Sequence, residues 1–440
     1  MPSRCAVSRR VFLRQGSLAA TGTVAVPYLV PSGILGADAQ PGPNERIGVG
    51  YIGVGRRGNQ LMGLPPDGQI VAVCDLDRTR ADTVAAKRKC RAEYSYRKLL
   101  EAKDVDAVVV ATTDHWHALA TIHACQAGKD VYVEKPLGLT IREGQLMVQA
   151  ARKYGRVVQT GSMRRSMPGH RLGCELVRNG LAGKIHTVLI QNYPSPWECK
   201  FPGQPVPEGL DWDAWCGQTE VIPFHPDIYI QRSKPGWISC RPYSGGEMTG
   251  TGSHGFDQIQ WALDMDHTGP VEVWCEGGKL PEVVYTEPES TKRGNTLCGQ
   301  DRRVRFKYAN GIEIHLEEGE PAAGAVFVGD RAKIRIGNNT VDSNPPELAK
   351  DPPKDLKSHV IVSDNHLKNW FDCIKSRGRP IADVEIGHRS AIICHLGNIV
   401  RWVGRKLRWD PVKEVFPGDD EANAYLSRPQ RKPYQLPEVV

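Results

Sequence analysis

Over residues 46–162, short apolar runs alternate with longer stretches of helical periodicity. The runs lie at 46–52, 70–74, 106–111, 131–133 and 157–160, and are rich in Val and Ile. Between them the spacing predicts helices over 96–102, 118–127 and 141–154, with Gly128 ending the second. Near-continuous apolar strands separated by helices predict a parallel, doubly wound sheet. This domain is expected to span 40–162.

Beyond it the pattern changes. Residues 183–193 alternate in polarity through Ile185, Thr187, Leu189 and Gln191, which predicts a strand with one buried face. Another is expected at 271–275. Runs at 304–308 and 312–316 flank Asn310-Gly311, and runs at 325–328 and 333–336 flank Gly329-Asp330. Both are hairpin signals. The fold class is therefore read as α/β. An N-terminal α/β domain precedes an α+β domain over 163–410, whose large open sheet is mostly antiparallel and covered by helices on one face. Helices at 365–376 and 387–407 precede a Pro- and charge-rich tail, 411–440.

The turn after the first run carries chemistry. Gly53-Val54-Gly55-Arg56-Arg57-Gly58 has a strand before it and a helix after it. One glycine permits the tight turn, one lets backbone approach a pyrophosphate, and one lets helix pack on strand. The second strand ends in Asp75, placed to bond the ribose hydroxyls of a dinucleotide. Together these predict a Rossmann domain. Asp75 favours NAD, because a 2′-phosphate would meet a carboxylate; Arg56, Arg57, Arg78 and Arg80 keep NADP open. The run at 131–133 ends in Glu134-Lys135-Pro136, so Lys135 stands at a strand's carboxyl end, where ligands of such sheets bind.

A long irregular stretch, 194–246, holds Trp197, Trp212, Trp215 and Trp237 with His225, Arg232, Arg241 and Tyr243. So long a loop inside a compact domain is usually functional. Indole faces and polar groups suit the apolar faces and hydroxyl edges of a sugar. Tyr193, Trp197, Arg241 and Tyr243 are the substrate-contact candidates; several of the indoles serve equally well to pin the loop down.

Composition narrows the classes. The 440 residues are 40% apolar and 24% charged, enough for a sizeable core. Net charge is +7, of which Arg4, Arg9, Arg10 and Arg14 against Asp38 supply +3. No basic run is interleaved with aromatics, so nucleic acid is not an expected partner. Twelve cysteines include no Cys-x-x-Cys, and no Cys/His spacing suggests zinc, so no metal is expected. Several cysteines sit inside apolar patterns, where a thiol packs as a small hydrophobe. One disulfide among Cys199, Cys216 and Cys240 is the alternative considered.

Residues 1–39 read as an address. Ser8-Arg9-Arg10-Val11-Phe12-Leu13 precedes a mild apolar run broken by Gly22 and Pro27, then Ala37-Asp38-Ala39 as a cleavage site. This resembles a twin-arginine (Tat) signal, which implies export of an already folded, cofactor-loaded protein to the periplasm. The run is too short and polar to span a bilayer, so no membrane insertion is expected after signal removal.

The glycine turn, then Ala111-Thr112-Thr113-Asp114-His115-Trp116-His117, then Glu134-Lys135-Pro136 resemble the glucose–fructose oxidoreductase/inositol dehydrogenase/MocA (Gfo/Idh/MocA) family over residues 46–410. The resemblance implies that Lys135 lies beside the nicotinamide and the substrate hydroxyl. It implies that Thr112, Asp114, His117 and Glu134 line the cofactor cleft, although His115 and His117 also stand where they could cap the next helix. Gly245–Asp257 resembles the family's glycine-rich turn and catalytic helix, and His254 matches its catalytic histidine. The family usually carries Asp four residues before that histidine; Gly250 stands here. Asp257 is read as orienting or capping. The family's sheet commonly makes oligomers, which implies a homo-oligomer.

The function expected is an exported NAD(P)-dependent oxidoreductase acting on a secondary hydroxyl of a sugar or polyol, with a tightly bound, recycled cofactor. The alternative is a redox-neutral NAD-dependent glycosidase or lyase working through a keto-sugar, a pattern that some family members resemble. Lys135 and His254 are the catalytic candidates in either case.

Overall fold

The computed structural model describes residues 45–229, 236–282, 284–286, 299, 301–320 and 323–440. The expected signal at 1–39 and Arg232 lie outside them. The first sheet has six parallel strands: β1 (Ile47–Ile52), β2 (Gly68–Cys74), β3 (Arg91–Glu93), β4 (Ala107–Val110), β5 (Asp130–Val133) and β6 (Val158–Thr160). Their order is β3-β2-β1-β4-β5-β6, so chain direction across the sheet reverses between β1 and β4. A crevice at the strands' carboxyl ends follows from that reversal.

β4 and β5 are buried at every position, as their unbroken apolar runs require. Val108, Val110, Val131 and Val133 face one core; Val49, Tyr51, Val109 and Tyr132 face the other. That second core is completed from far along the chain by helix His366–Ser376, whose Trp370 and Phe371 are fully buried against it.

The remaining strands are β7 (Ile185–Gln191), β8 (Glu198–Cys199), β9 (Glu272–Cys275), β10 (Val284–Tyr285), β11 (Val304–Lys307), β12 (Glu313–Glu317), β13 (Ala325–Gly329), β14 (Lys333–Ile336), β15 (Val341–Asn344) and β16 (Leu407–Arg408). All but β8 and β10 form one sheet, β15-β14-β13-β7-β12-β11-β9-β16. Its pairs are antiparallel except β7 with β12. Both expected hairpins form, the first with Gly311 at a φ of +88°. One face, with Val188, Ile190, Phe306, Ile314 and Phe327, packs under helices Pro168–Arg178, Gly252–Ala262 and Val384–Val403.

The last of these helices starts and stops earlier than the expected 387–407. Asp383 caps it by accepting from the Glu385 N–H, and Gly404 ends it in the left-handed region at a φ of +81°. Leu407 then belongs to β16 rather than to the helix. The C-terminal residues are packed: Leu436 and Val440 join the first sheet's core. Among the described residues no helix is long and apolar enough to cross a membrane.

Candidate functional site

The glycine turn does the three jobs its spacing implies. Gly53 has a φ of +85°, and a Cβ there would lie 2.8 Å from the Ala111 carbonyl oxygen. A Cβ on Gly58 would collide with the Gly53 carbonyl, so this glycine lets helix meet strand. A Cβ on Gly55 would meet nothing within 4 Å, so backbone here faces open space. At the end of β2 the Asp75 carboxylate accepts from the Val54 N–H at 3.0 Å, the Asp77 N–H at 3.1 Å and Arg80 Nη1 at 3.2 Å.

These groups border a cavity of about 600 Å³. Gly53, Gly55, Arg56, Asp75 and Thr112 lie along one side; Tyr96, Trp116 and Trp215 supply flat apolar surface. A backbone left open at Gly55, an acid at the ribose position and aromatic walls fit a dinucleotide. A second cavity of about 220 Å³ shares Arg56, Ala111, Thr112 and Trp237 with the first. Lys135, His254, His117, Asp114, Glu134 and Arg57 all line it.

Each of those side chains is held. Arg57 Nε donates to Glu134 Oε1 at 2.7 Å, tying the glycine turn to the end of β5. Gly161 leaves room for that carboxylate, which a Cβ would meet at 2.8 Å. The ring of His117 lies between the Pro136 and Thr112 carbonyl oxygens, at 2.9 and 3.3 Å, and so braces the Lys135–Pro136 turn against β4. Asp114 accepts from Ser244 Oγ at 2.6 Å. Lys135 Nζ donates to the Gly250 carbonyl oxygen at 2.6 Å. The position that lacks the family's acid thus meets the lysine through its main chain, one turn before His254.

His254 sits in the first turn of helix Gly252–Ala262. Asp257 on that helix turns to the interior rather than toward the cleft. Both its oxygens lie 3.0 Å from Arg165 Nε, and Ser390 Oγ donates to one at 3.0 Å. Arg165 also reaches Asp266 at 2.7 Å and is fully buried. The two acids push its guanidinium above the ordinary arginine value despite burial. Asp257 therefore mounts the helix.

Four residues expected at the substrate line neither of these cavities. Tyr193 is buried in the second sheet's core and accepts from the Ala323 N–H at 3.0 Å. Trp197 packs with Leu280. Tyr243 is fully buried, its ring centroid 4.8 Å from that of Trp215. Arg241 stacks over Trp402 at 4.5 Å. Phe201, Phe224, Ile228, Trp237 and Tyr243 build a small core with Trp212 and Trp215, which stack at 4.5 Å. Trp212 and Trp215 cover each other, and Trp237 is the one of the four indoles singled out from 194–246 that lines the second cavity. Met163 and Ile238 line it too and carried no sequence signal beyond being apolar. His115 is buried with Nε2 2.9 Å from the Trp215 carbonyl; burial pulls it down to about 3. Every cysteine among the described residues is a free thiol, with Cys199 and Cys240 Sγ 3.2 Å apart. No cluster among those residues could hold a metal.

Several known proteins are similar to this chain in part of the sequence or in fold. Inositol 2-dehydrogenase 3 of Saccharopolyspora erythraea is 37% identical over 167 residues, 37% of this chain and 47% of that one. The 2,7-anhydro-N-acetylneuraminate hydratase of Mediterraneibacter gnavus is 31% identical over 158 residues, 36% of this chain and 40% of that one. An alpha-N-acetylgalactosaminidase of Shewanella oneidensis is 36% identical over 123 residues, 25% of this chain and 27% of that one. The chain thus spans less than half the length of each of these relatives. By fold it is similar to the WlbA dehydrogenase of Bordetella pertussis, solved with NADH and UDP-GlcNAcA (TM-score 0.58, 18% identity, 83% and 99% of the chains). It is similar also to the aldose-aldose oxidoreductase of Caulobacter crescentus (TM-score 0.56, 16% identity, 82% and 99%). Residues 47–162 match the NAD-binding Rossmann fold of one oxidoreductase family, and residues 176–436 match its C-terminal alpha/beta domain. The chain therefore belongs to the Gfo/Idh/MocA oxidoreductase family.

Proposed function

We propose that this protein is an exported NAD(P)-dependent oxidoreductase acting on a secondary hydroxyl of a sugar or polyol, with a cofactor retained between turnovers. The observation that carries the reading is the shared cavity. Lys135 and His254 face one space of about 220 Å³ that opens onto the dinucleotide cleft. A nicotinamide bound there supplies the hydride acceptor. His254 takes the hydroxyl proton, a task suited to an imidazole. Lys135 bonds the same oxygen as negative charge grows on it, with its ammonium aimed by the Gly250 carbonyl. Trp237 closes the space beside the glycine-rich segment and offers the apolar face that a sugar ring stacks on.

Export rests on the twin arginines at 9 and 10 and the apolar run behind them. Free NAD is scarce outside the cytoplasm, so an exported enzyme of this kind keeps its cofactor and restores it in place. Half-buried Leu189 and Val326, paired on the outer face of the large sheet, and half-buried Trp274, beyond the two intervening strands that carry His315 and Arg305, support assembly of copies through that face.

A second reading has one specific support, the match to an alpha-N-acetylgalactosaminidase. In this reading oxidation acidifies a neighbouring C–H, elimination expels the aglycone and leaves an unsaturated ketone, water adds across the double bond, and the ketone is reduced again. The deciding experiment begins with nucleotide released from purified protein by denaturation and identified. Free sugars and aryl glycosides are then supplied while nicotinamide absorbance and aglycone release are followed. Net reduction with free sugars supports the first reading; aglycone release without redox change supports the second. A protein that neither carries nor takes up a dinucleotide would refute both.

A further inference from the structure

We propose that residues 428–436 form a clasp that closes the adenosine end of the cofactor site and sets the rate at which cofactor leaves. The inference deepens the proposed function, since it rests on the cleft holding a dinucleotide. The floor of the large cavity belongs to the first sheet, but its roof does not. Asp211, Trp215 and Tyr229 come from the arm between the two sheets, and Pro433 and Tyr434 come from the C-terminal end of the chain.

The arm is fastened to the loop after β2. Arg78 N–H donates to the Gly209 carbonyl at 3.0 Å, Asp211 N–H to the Leu76 carbonyl at 3.1 Å, and Tyr229 Oη to Asp77 at 2.9 Å. The C-terminal segment is then fastened to the arm. Arg431 donates from its main chain to the Gln218 carbonyl at 2.9 Å. Its guanidinium reaches the Thr219 carbonyl at 3.1 Å, the Asp213 carboxylate at 2.9 Å and the Asp213 carbonyl at 3.0 Å. Tyr434 sets its ring edge-on to Trp116, with centroids 5.4 Å apart, and its hydroxyl lies 3.3 Å from Asp213. Arg428, paired with Glu143 at 3.2 Å, and Leu436, packed on the first sheet's core, hold the segment at either end.

A planar purine would meet aromatic surface from three distant parts of the chain: Trp116, Trp215 and Tyr434. Leaving the pocket on the clasp side then requires the segment to lift. The fastening is local and partly exposed, with Arg431 and Asp213 side chains 27% and 57% accessible, so it can open without unfolding the domain. It should also weaken with salt.

The test uses the full chain loaded with NADH and freed of excess by gel filtration. Release is followed as loss of bound-NADH fluorescence on dilution into excess NAD. Tyr434→Ala and Arg431→Ala are each expected to speed release about threefold to tenfold, one aromatic contact or one ion pair with its hydrogen bonds being lost. Wild-type release should quicken with added salt, and Arg431→Ala should lose most of that dependence. A chain ending at Ser427 should show the largest change; because it also loses apolar core, the two point variants carry the decision. Release within about twofold of wild type in both, with melting unchanged, would overturn the clasp and leave the cofactor assignment intact. A wild-type chain that takes up no dinucleotide would overturn the function and the clasp together.

Discussion

The floor and the roof of the cleft are built by different rules. The floor comes from the carboxyl ends of neighbouring parallel strands: the turn at 53–58, Asp75, Thr112 and Lys135. Backbone geometry sets each position. The roof comes from Asp211, Trp215, Tyr229 and Trp237 of the arm and from residues 428–436, and side-chain packing sets it. A floor residue has one geometry available to it, so changes there should strike chemistry or cofactor binding outright. Roof residues share their work among many contacts, and changes there should alter rates of exchange and margins of stability.

The sharpest way to test that contrast is Lys135→Ala. Removing one donor to a developing oxyanion costs about 10²–10³ in turnover. Nucleotide content and melting should stay near wild type, because Lys135 contacts the catalytic cavity and Gly250 rather than the adenosine end. Full activity in this variant would remove Lys135 from the centre.

The glycine turn allows the contrast to be tested within the floor itself. Gly58→Ala forces a Cβ onto the Gly53 carbonyl, and such overpacking costs about 1–3 kcal/mol. Its melting temperature should fall even without nucleotide. Gly55→Ala has open space, so its melting without nucleotide should match wild type, while nucleotide affinity drops because a methyl stands where phosphate approaches. Equal effects of both on the empty protein would show that Gly55 serves the fold and not the ligand.

The same division decided what could be read beforehand. The floor was legible because turn chemistry is local: the three glycines, the acid ending β2 and the lysine ending β5 each state their role within a few residues. His254 needed the family resemblance, since no local rule brings a helix from the second domain to the first sheet's edge. Tyr193, Trp197, Arg241 and Tyr243 are packed or stacked against other parts of the chain, which their local sequence does not announce. An aromatic-rich loop has one composition whether its rings face a ligand or each other. Trp212 and Trp215, three apart, carried the corrective signal, because residues at that spacing share a helix face and here stack together. Tyr434 stood in a polar tail with nothing to tie it to Trp116, more than three hundred residues away. The helix is expected over 387–407 but runs Val384–Val403: its Asp383 cap stands ahead of the expected start, and Gly404 ends it inside the expected span, in the left-handed region.

The smallest effect at neutral pH should come from the joint between roof and floor. His115 follows Asp114 on the floor and bonds the Trp215 carbonyl of the roof. Burial, and then the nearby Arg428 charge, hold its folded value down to about 3, against about 6.5 in an unfolded chain. Between those values the unfolded chain binds a proton that the folded chain refuses. This contribution to stability is therefore whole above pH 6.5 and shrinks as pH falls toward 3, by up to about 1.4 kcal/mol per unit. His366, held near 4, and His395, near 3, add slopes of the same sign. His115→Gln keeps a donor for the Trp215 carbonyl and removes the titration. Its melting temperature should fall less steeply than that of wild type between pH 6.5 and 4.5, and the other two histidines should preserve part of the slope. Parallel curves for the two proteins would show that His115 reaches water at the joint, and that the roof opens there more freely than its packing implies.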